Sequence, residues 1–555
     1  MKILGISTHH DASVCILDNG NLTYFSKQER LTKIKKDDLN IRHNEKAFDL
    51  LKNICDIHKD ISLVVICSPT PYSDIVEEVI YYLANVLKIK CRIKRFCENH
   101  HLAHASLSFY NSGFDKALNF VIDRNGAKLK NLEGVEFRES ESVFISEYPC
   151  NFKPIYKSFW LKNVGQDHDI KNLMFEKELK ENFKDCEIVA NSTMNITKVY
   201  ETATTLIQQN ILENGKTMGL SAYGNDKDFD KFFIDHQPNN NLFYHYSGKE
   251  TGYKKYIGLE KKDIKKNDNL YFDYAFQVQK QTQEEVLCLV KKYVEKTNIK
   301  NVCLSGGYAL NVVTNSYLIN NLPDVNFYFE PLSDDSGNSI GAALHEHYFL
   351  SKENIKRPLY NTFFSGNTKQ ISSDGIKTYP RDIANFLNEQ KVVAVFNGKA
   401  EAGPRALGNR SILFDPRNKN AKEIINKIKK REWYRPFAGS ILTELSSFYF
   451  DMKGLKNSPF MTINFKVLED KKNIIPGVLH IDNTCRIQTV DEKIPHFYEL
   501  LLHFYDITNV PMLLNTSFNL SGEPLVEYEE DALKTFYNSD IDILWFPEKQ
   551  IYLKK

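Results

Sequence analysis

The chain has 555 residues, more than one hydrophobic core normally supports, so two large domains or three smaller ones are expected. Its formal net charge is +1, from 72 Lys and Arg against 71 Asp and Glu, which argues against wholesale nucleic-acid coating or a membrane-surface role while leaving room for a local basic pocket. Ten cysteines are scattered singly with no C-x-x-C pair, as expected of free thiols in a reducing compartment. The opening KILGIS reads as a strand rather than a signal peptide, and no apolar run reaches the ~18 residues needed to span a bilayer. A cytoplasmic protein is expected.

The first segment reads strand, turn, strand, turn, strand. Apolar runs at 3–6 and 14–17 bracket His9, His10, Asp11 and Ser13, and Asn19-Gly20 is a hairpin signal. Two strands joined by a short polar loop open the actin-like ATPase fold, although hairpins with polar tips are common. QERLTKIKKDD then gathers Arg30, Lys33, Lys35 and Lys36, either a solvated charge run or a reach toward phosphate. Residues 45–55 and 72–87 read as helices around a buried strand, LVVIC at 63–67, so an α/β layer architecture is favoured. In CENHHLAHASLSFYNSG, Asn99 is an N-cap candidate, and His100 and His104 lie four apart on one helical face. Such a pair grips a metal ion at two points if further ligands arrive from elsewhere. Asp123, ending the strand LNFVID, is one candidate, though an ordinary turn-initiating Asp reads the same way.

Residues 127–200 carry little pattern. NGKTMGLSAYG (214–224) reads as a glycine-punctuated loop, 225–268 as a surface excursion, and 273–296 as a long amphipathic helix. NVCLSGGYALN (301–311) reads as a strand feeding Gly306-Gly307 into a helix, a turn that could bring backbone against a nucleotide. A strand, an acidic turn with Asp334 and Asp335, and a small-residue helix follow over 326–348. A boundary is expected within 353–375, which divides the chain into domains 1–355 and 356–555. Beyond it, the apolar VVAVF (392–396) leads into NGKAEAGPRALGNRSILFDPR, predicted as a loop in which Arg405, Arg410 and Arg417 alternate with Gly403, Gly408 and Ser411. Guanidinium forks among glycines suit a polyanion clamp, against the alternative of a solvated basic turn. Lys427, Lys429, Lys430, Arg431 and Arg435 add positive charge, Arg486 lies in LHIDNTCRIQTV, and a buried strand ends in Asn515, Thr516 and Ser517. A helix at 529–538 and a strand at 542–546 finish the chain.

Taken together, ILGIS…HDAS, HHLAHA, GKTMGLSAYG, LSGGYALN, DSG-x-x-x-GAAL, GPRALGNRSIL-x-DPR, REWYRPFA and NTSFN-x-x-GEP resemble, in this order and over nearly the whole chain, the nodulation-type O-carbamoyltransferases. The resemblance implies an α/β protein with an actin-like N-terminal domain, similar to tRNA threonylcarbamoyl-transfer enzymes, and a YrdC-like C-terminal domain. It implies that carbamoyl phosphate and ATP (with Mg²⁺) yield carbamoyl-adenylate in the C-terminal domain. The N-terminal domain would then pass the carbamoyl group to the hydroxyl of a sugar, nucleotide sugar or natural product. By the same resemblance, His100, His104, Asp123 and Asp335 would hold Fe²⁺ or another divalent metal. His10 would act as base, with Arg405 and Arg435 as the catalytic cations. Asp11, Lys35, Gly306, Gly307, Asn311, Arg410, Ser411, Arg486, Asn515 and Ser517 would bind ATP and substrate. The acceptor would be a small molecule, neither nucleic acid nor membrane, and the family admits homodimers. A tRNA-modifying threonylcarbamoyl enzyme is the alternative reading, disfavoured by the near-neutral charge. One departure stands out: after Asp123 the family pattern has Gly, whereas this chain has Arg124-Asn125-Gly126.

Overall fold

A computed structural model describes residues 1–40, 46–70, 73–130, 136–161, 183–191, 195–208, 213–239, 264–366 and 373–555. Much of the two poorly patterned stretches, including 162–182 and 240–263, lies outside the described residues. The fold is mixed α/β. It divides into one unit of Met1–Thr23 with Asp38–Leu359 and a second of Tyr24–Asp37 with Tyr360–Lys555. The chain pattern of the first 355 residues gives no hint that 24–37 belong with the C-terminal unit.

In the first unit, the apolar strand Lys2–Ser7 pairs antiparallel with Ser13–Asp18 and parallel with Leu63–Cys67, which continues parallel to Arg92–Arg95. A second sheet runs in the order Glu187–Asn191, Asn151–Leu161, Glu136–Glu147, Lys116–Ile122, Asn301–Ser305, Asn326–Phe329. Its last two strands lie parallel to Lys116–Ile122, a pattern that requires crossover helices. The helix His100–Ser112 packs against the helix Asn338–Ser351. Their contact is backbone-close, because a Cβ on Gly341 would lie 2.0 Å from the Ala103 carbonyl oxygen. Ser13 fixes the start of the second helix to the first sheet, donating from Oγ to Ser336 O at 2.6 Å and Ser339 Oγ at 2.8 Å.

Predicted and observed elements differ in instructive places. NGKTMGLSAYG is not a loop: Asn214–Ser221 is helical, with Thr217, Gly219 and Leu220 buried and packing on the long helix Asn269–Thr297. Tertiary burial there outweighs the poor helix propensity of two glycines. The helix expected at 72–87 is Asp74–Tyr81 followed by a π-helical turn, Tyr82–Val86. Among the described residues, no helix is long and apolar enough to cross a membrane.

The second unit is built on a nine-stranded sheet. Its order is Ile376–Lys377, Ile551–Lys554, Ile543–Phe546, Val393–Phe396, Arg410–Phe414, Met512–Ser517, Ala438–Leu442, Thr484–Val490, Asn464–Lys466. The arginine-rich stretch is therefore not one loop, since Arg410 and Ser411 begin a fully buried central strand. Helices Pro380–Asn388 and Pro495–Thr508 pack together on this unit.

Candidate functional site

In the first unit, four sequence-predicted residues converge. One ligand atom each from His100, His104, Asp123 and Asp335 falls within 4.8 Å of all the others, and all four side chains are buried. The helix start supplies the histidines one turn apart, with rings 5.0 Å apart and edge-on. Asp335 sits on the short turn before Asn338–Ser351, its Oδ1 3.5 Å from His100 Nε2 and 3.4 Å from His104 Nε2. Asp123 Oδ2 lies 3.6 Å from His100 Nε2. Its Oδ1 accepts a hydrogen bond from the Gly307 amide at 3.2 Å. Gly306 makes that bond possible: its φ is +83°, and a Cβ there would meet Ile122 O at 2.5 Å. The double-glycine turn thus orients a carboxylate.

Burial alone would push the Asp335 carboxyl up, but His100, His10 and His104 outweigh it and hold Asp335 well below the usual carboxylate range. Asp123 is lowered in the same way, against burial and the Asp335 charge, chiefly by its contact with His100. Two carboxylates and two imidazoles facing one buried point through Nε2 and Oδ atoms form a donor set that fits a divalent transition-metal ion. His10 stands at the edge, half exposed, its Nε2 3.4 Å from Asp335 Oδ2. Its neighbour His9 is kept neutral, pushed down to about 4 by burial and by His10, and contacts Ser68 Oγ through Nδ1 at 3.0 Å. Asp11 is buried with φ +63°.

Other predicted residues of this unit have structural duties. Asn311 caps the helix Val312–Asn321 by accepting from Thr314 N at 3.1 Å, and it pairs with buried Gln279. Arg124 turns its Nε to Glu201 Oε1 at 2.9 Å, while Glu201 also meets Lys198 at 3.3 Å. Asn338 escaped the sequence reading: its Nδ2 lies 3.0 Å from His104 Nε2 and 3.4 Å from His100 Nε2. Nothing in a helix-start Asn signals an inward side chain.

In the second unit, Arg405, Arg431, Arg435 and Arg486 crowd together. Burial, then Arg435 and Arg431, brings Arg405 down to about 10; burial and Arg435 bring Arg431 down to about 9. Burial and Arg405 lower Arg486 well below its ordinary range, and its Nε is buried without a hydrogen-bond partner. Among the described residues, no salt bridge joins a carboxylate to Arg435 or Arg486, and the Glu432 carboxylate offsets only part of the lowering at Arg431. Like charges crowded together and partly shielded from water are unfavourable until an anion enters. Lys429 closes one side, donating to Ser517 O, to Ser517 Oγ at 3.2 Å and to Asn519 Oδ1 at 3.0 Å. Burial, with Arg431 and Lys35 behind it, lowers Lys429 strongly, so Lys35 acts on this centre from within the same unit.

Arg410 and Ser411 are scaffold. The Arg410 guanidinium donates to four carbonyl oxygens, those of Asn397, Asn409, Gly398 and Glu527, and lies 3.7 Å over the Phe396 ring. Ser411 Oγ accepts from Gly408 N at 3.0 Å. Glu401, absent from the sequence reading, shapes the loop by accepting from the amides of Leu407, Asn409 and Arg410 with one oxygen. Asn515 is buried and bonds Ser440 Oγ at 2.9 Å and Ala406 O at 3.3 Å, bracing the segment that carries Arg405.

Comparison with known proteins finds two matching family models. The carbamoyltransferase N-terminus model matches residues 70–344, and the carbamoyltransferase C-terminus model matches 384–553. An uncharacterised protein of Methanocaldococcus jannaschii is 31% identical over 76% of this chain and 85% of its own length. Nodulation protein NolO of Bradyrhizobium diazoefficiens is 28% identical over 80% of this chain and 77% of its own. Among solved structures, full-length HypF in a phosphate- and nucleotide-bound form is 14% identical, with a TM-score of 0.37 over 63% of this chain and 55% of that one, too distant to carry an argument. With both family models matched in order along one chain, the protein belongs to the carbamoyltransferase family and is a carbamoyltransferase enzyme.

Proposed function

We propose that the protein is an ATP-dependent O-carbamoyltransferase that activates carbamoyl phosphate as carbamoyl-adenylate and transfers the carbamoyl group to the hydroxyl of a small molecule. The observation that carries this reading is the crowding of Arg405, Arg431, Arg435 and Arg486 in the second unit. Polyphosphate is the natural occupant of such a site, and guanidinium groups placed before the reaction stabilise charge as it develops. In the first half-reaction, water takes carbamoyl phosphate to carbamate and phosphate. A carbamate oxygen then attacks the α-phosphorus of ATP, and the bond to pyrophosphate breaks. Arg405, Arg435 and Arg486 neutralise the phosphate oxygens, while Lys35, Lys429 and Ser517 border the ligand. The unit holding them is taken as YrdC-like.

The second half-reaction belongs to the first unit, taken as actin-like. His10 accepts the proton of the acceptor hydroxyl as its oxygen attacks the carbamoyl carbon, and AMP leaves. Its half-exposed ring, 3.4 Å from Asp335 Oδ2, supports that role. His100, His104, Asp123 and Asp335 would hold a divalent ion, Fe²⁺ by family resemblance, which supplies Lewis-acid polarisation to the bound adenylate. Incubation with ATP and carbamoyl phosphate is expected to release AMP and pyrophosphate, with a carbamoylated product when a suitable alcohol is present. Formation of ADP in place of AMP would overturn the scheme.

A further inference from the structure

The side chain of Asn338 reaches into the cluster of His100, His104, Asp123 and Asp335. It is fully buried at the first residue of its helix, and its amide reaches into the space that the two histidines share with Asp335. The amide nitrogen is 3.0 Å from His104 Nε2 and 3.4 Å from His100 Nε2; the histidine–carboxylate separations there are 3.4, 3.5 and 3.6 Å. Ligands bound about 2.0–2.2 Å from one ion, at angles between a right angle and the tetrahedral value, stand roughly 3.0–3.5 Å apart. The end of the Asn338 side chain therefore lies where another ligand of the same ion would lie.

Its other polar atom supports the same reading. Asn338 Oδ1 is buried and has no hydrogen-bond partner, an unfavourable arrangement for a polar atom. The amide oxygen and nitrogen are nearly isosteric, so a half-turn about the last side-chain bond exchanges them. With the histidine lone pairs free, the NH₂ group can donate to Nε2. Once those lone pairs hold a cation, an N–H directed at the same point is repelled, while an amide carbonyl oxygen is an acceptable ligand for a hard or borderline ion.

We propose that Asn338 is a further ligand of the divalent ion, turning its amide so that Oδ1 faces the metal when the site fills. This rests on the reading that the His100/His104/Asp123/Asp335 cluster holds a divalent cation. A neutral amide would add a donor to the four-residue set without adding charge. An added aspartate would instead bring a third carboxylate into a pocket whose ion must still attract an anionic adenylate.

The test uses Mn²⁺ alone, added to the full-length metal-free protein, with affinity measured by chelator competition. Wild type is expected to bind one ion at this site. Asn338→Leu, close in shape but without polar atoms, is expected to bind at least about tenfold more weakly. Asn338→Asp, which offers only oxygens, is expected to bind at least as tightly as wild type. A structure of the Mn²⁺-loaded wild type should show Oδ1 in bonding distance of the ion. If Asn338→Leu binds Mn²⁺ as tightly as wild type, or the loaded structure keeps the amide beyond 3 Å from the ion, the inference fails and the metal reading survives. If wild type binds no Mn²⁺, both fail. The loaded structure decides the matter even if Asn338→Leu does not fold.

Discussion

Single side chains in this protein hold charge where water does not reach, and each such group makes a measurable claim. Glu330 is fully buried, accepting from Leu332 N and Asn111 Nδ2 at 3.0 Å each. Burial pushes its carboxyl up to about 7. The folded value lies above the unfolded one of 4.5, so the folded state binds the extra proton between those limits. Stability from this group is thus full below about pH 4.5 and is lost as pH rises through 7. Glu330→Gln removes the penalty, because Asn111 can turn its amide to meet the new NH₂. Thermal unfolding should show the variant more stable than wild type at pH 8, by on the order of 3 kcal/mol, with little difference at pH 4.5. The arginine cluster makes the converse case. Arg486→Met takes one unpaired cation out of the crowd and keeps the apolar stem. It is expected to raise stability by roughly 1 kcal/mol and to abolish ATP-dependent pyrophosphate release. A variant with lower stability and intact release would contradict the reading of Arg486 as an anion ligand.

At the scale of elements, the turn between Asn301–Ser305 and the following helix shows how backbone serves the His/Asp cluster. Gly306→Ala forces φ +83° on a residue with a Cβ, 2.5 Å from Ile122 O. The expected cost is about 2–3 kcal/mol, with Gly307 N drawn away from Asp123 Oδ1. Divalent-metal affinity should fall in the folded variant, measured by the same chelator competition. This turn also marks the limit of what sequence patterning reaches. The histidine pair was legible because i,i+4 spacing alone puts two side chains on one face, and Asp123 because it ends an apolar strand. The buried strands Val393–Phe396 and Ile543–Phe546 fall within a residue of their expected bounds. Asn214–Ser221 reads as a loop in sequence because its helical stability comes from burial on the Asn269–Thr297 helix, which local propensity does not encode. A guanidinium among glycines, such as that of Arg410, reads the same in sequence whether it faces a phosphate or four carbonyl oxygens. Asn338 and Glu401 carry no local pattern, and their roles exist only through contacts made by the folded chain.

At the scale of the whole molecule, the two centres sit in separate units and differ in charge: one gathers arginines, the other carboxylates and imidazoles. Such opposite sites are hard to reconcile with a single concerted step, since each environment would disfavour the charges the other is built to hold. Two half-reactions sharing one intermediate fit the division, and full-length variants can separate them. Exchange of labelled pyrophosphate into ATP, in the presence of carbamoyl phosphate, reads only the adenylate-forming step. His10→Ala should keep that exchange within about twofold of wild type while lowering carbamoyl transfer to an alcohol by roughly 10²–10⁴. Arg405→Ala should lower the exchange itself by roughly 10²–10³, and transfer with it. If a folded His10→Ala protein lost exchange and transfer equally, the chemistry would not divide along the two units, and His10 would act on activation rather than on the acceptor hydroxyl.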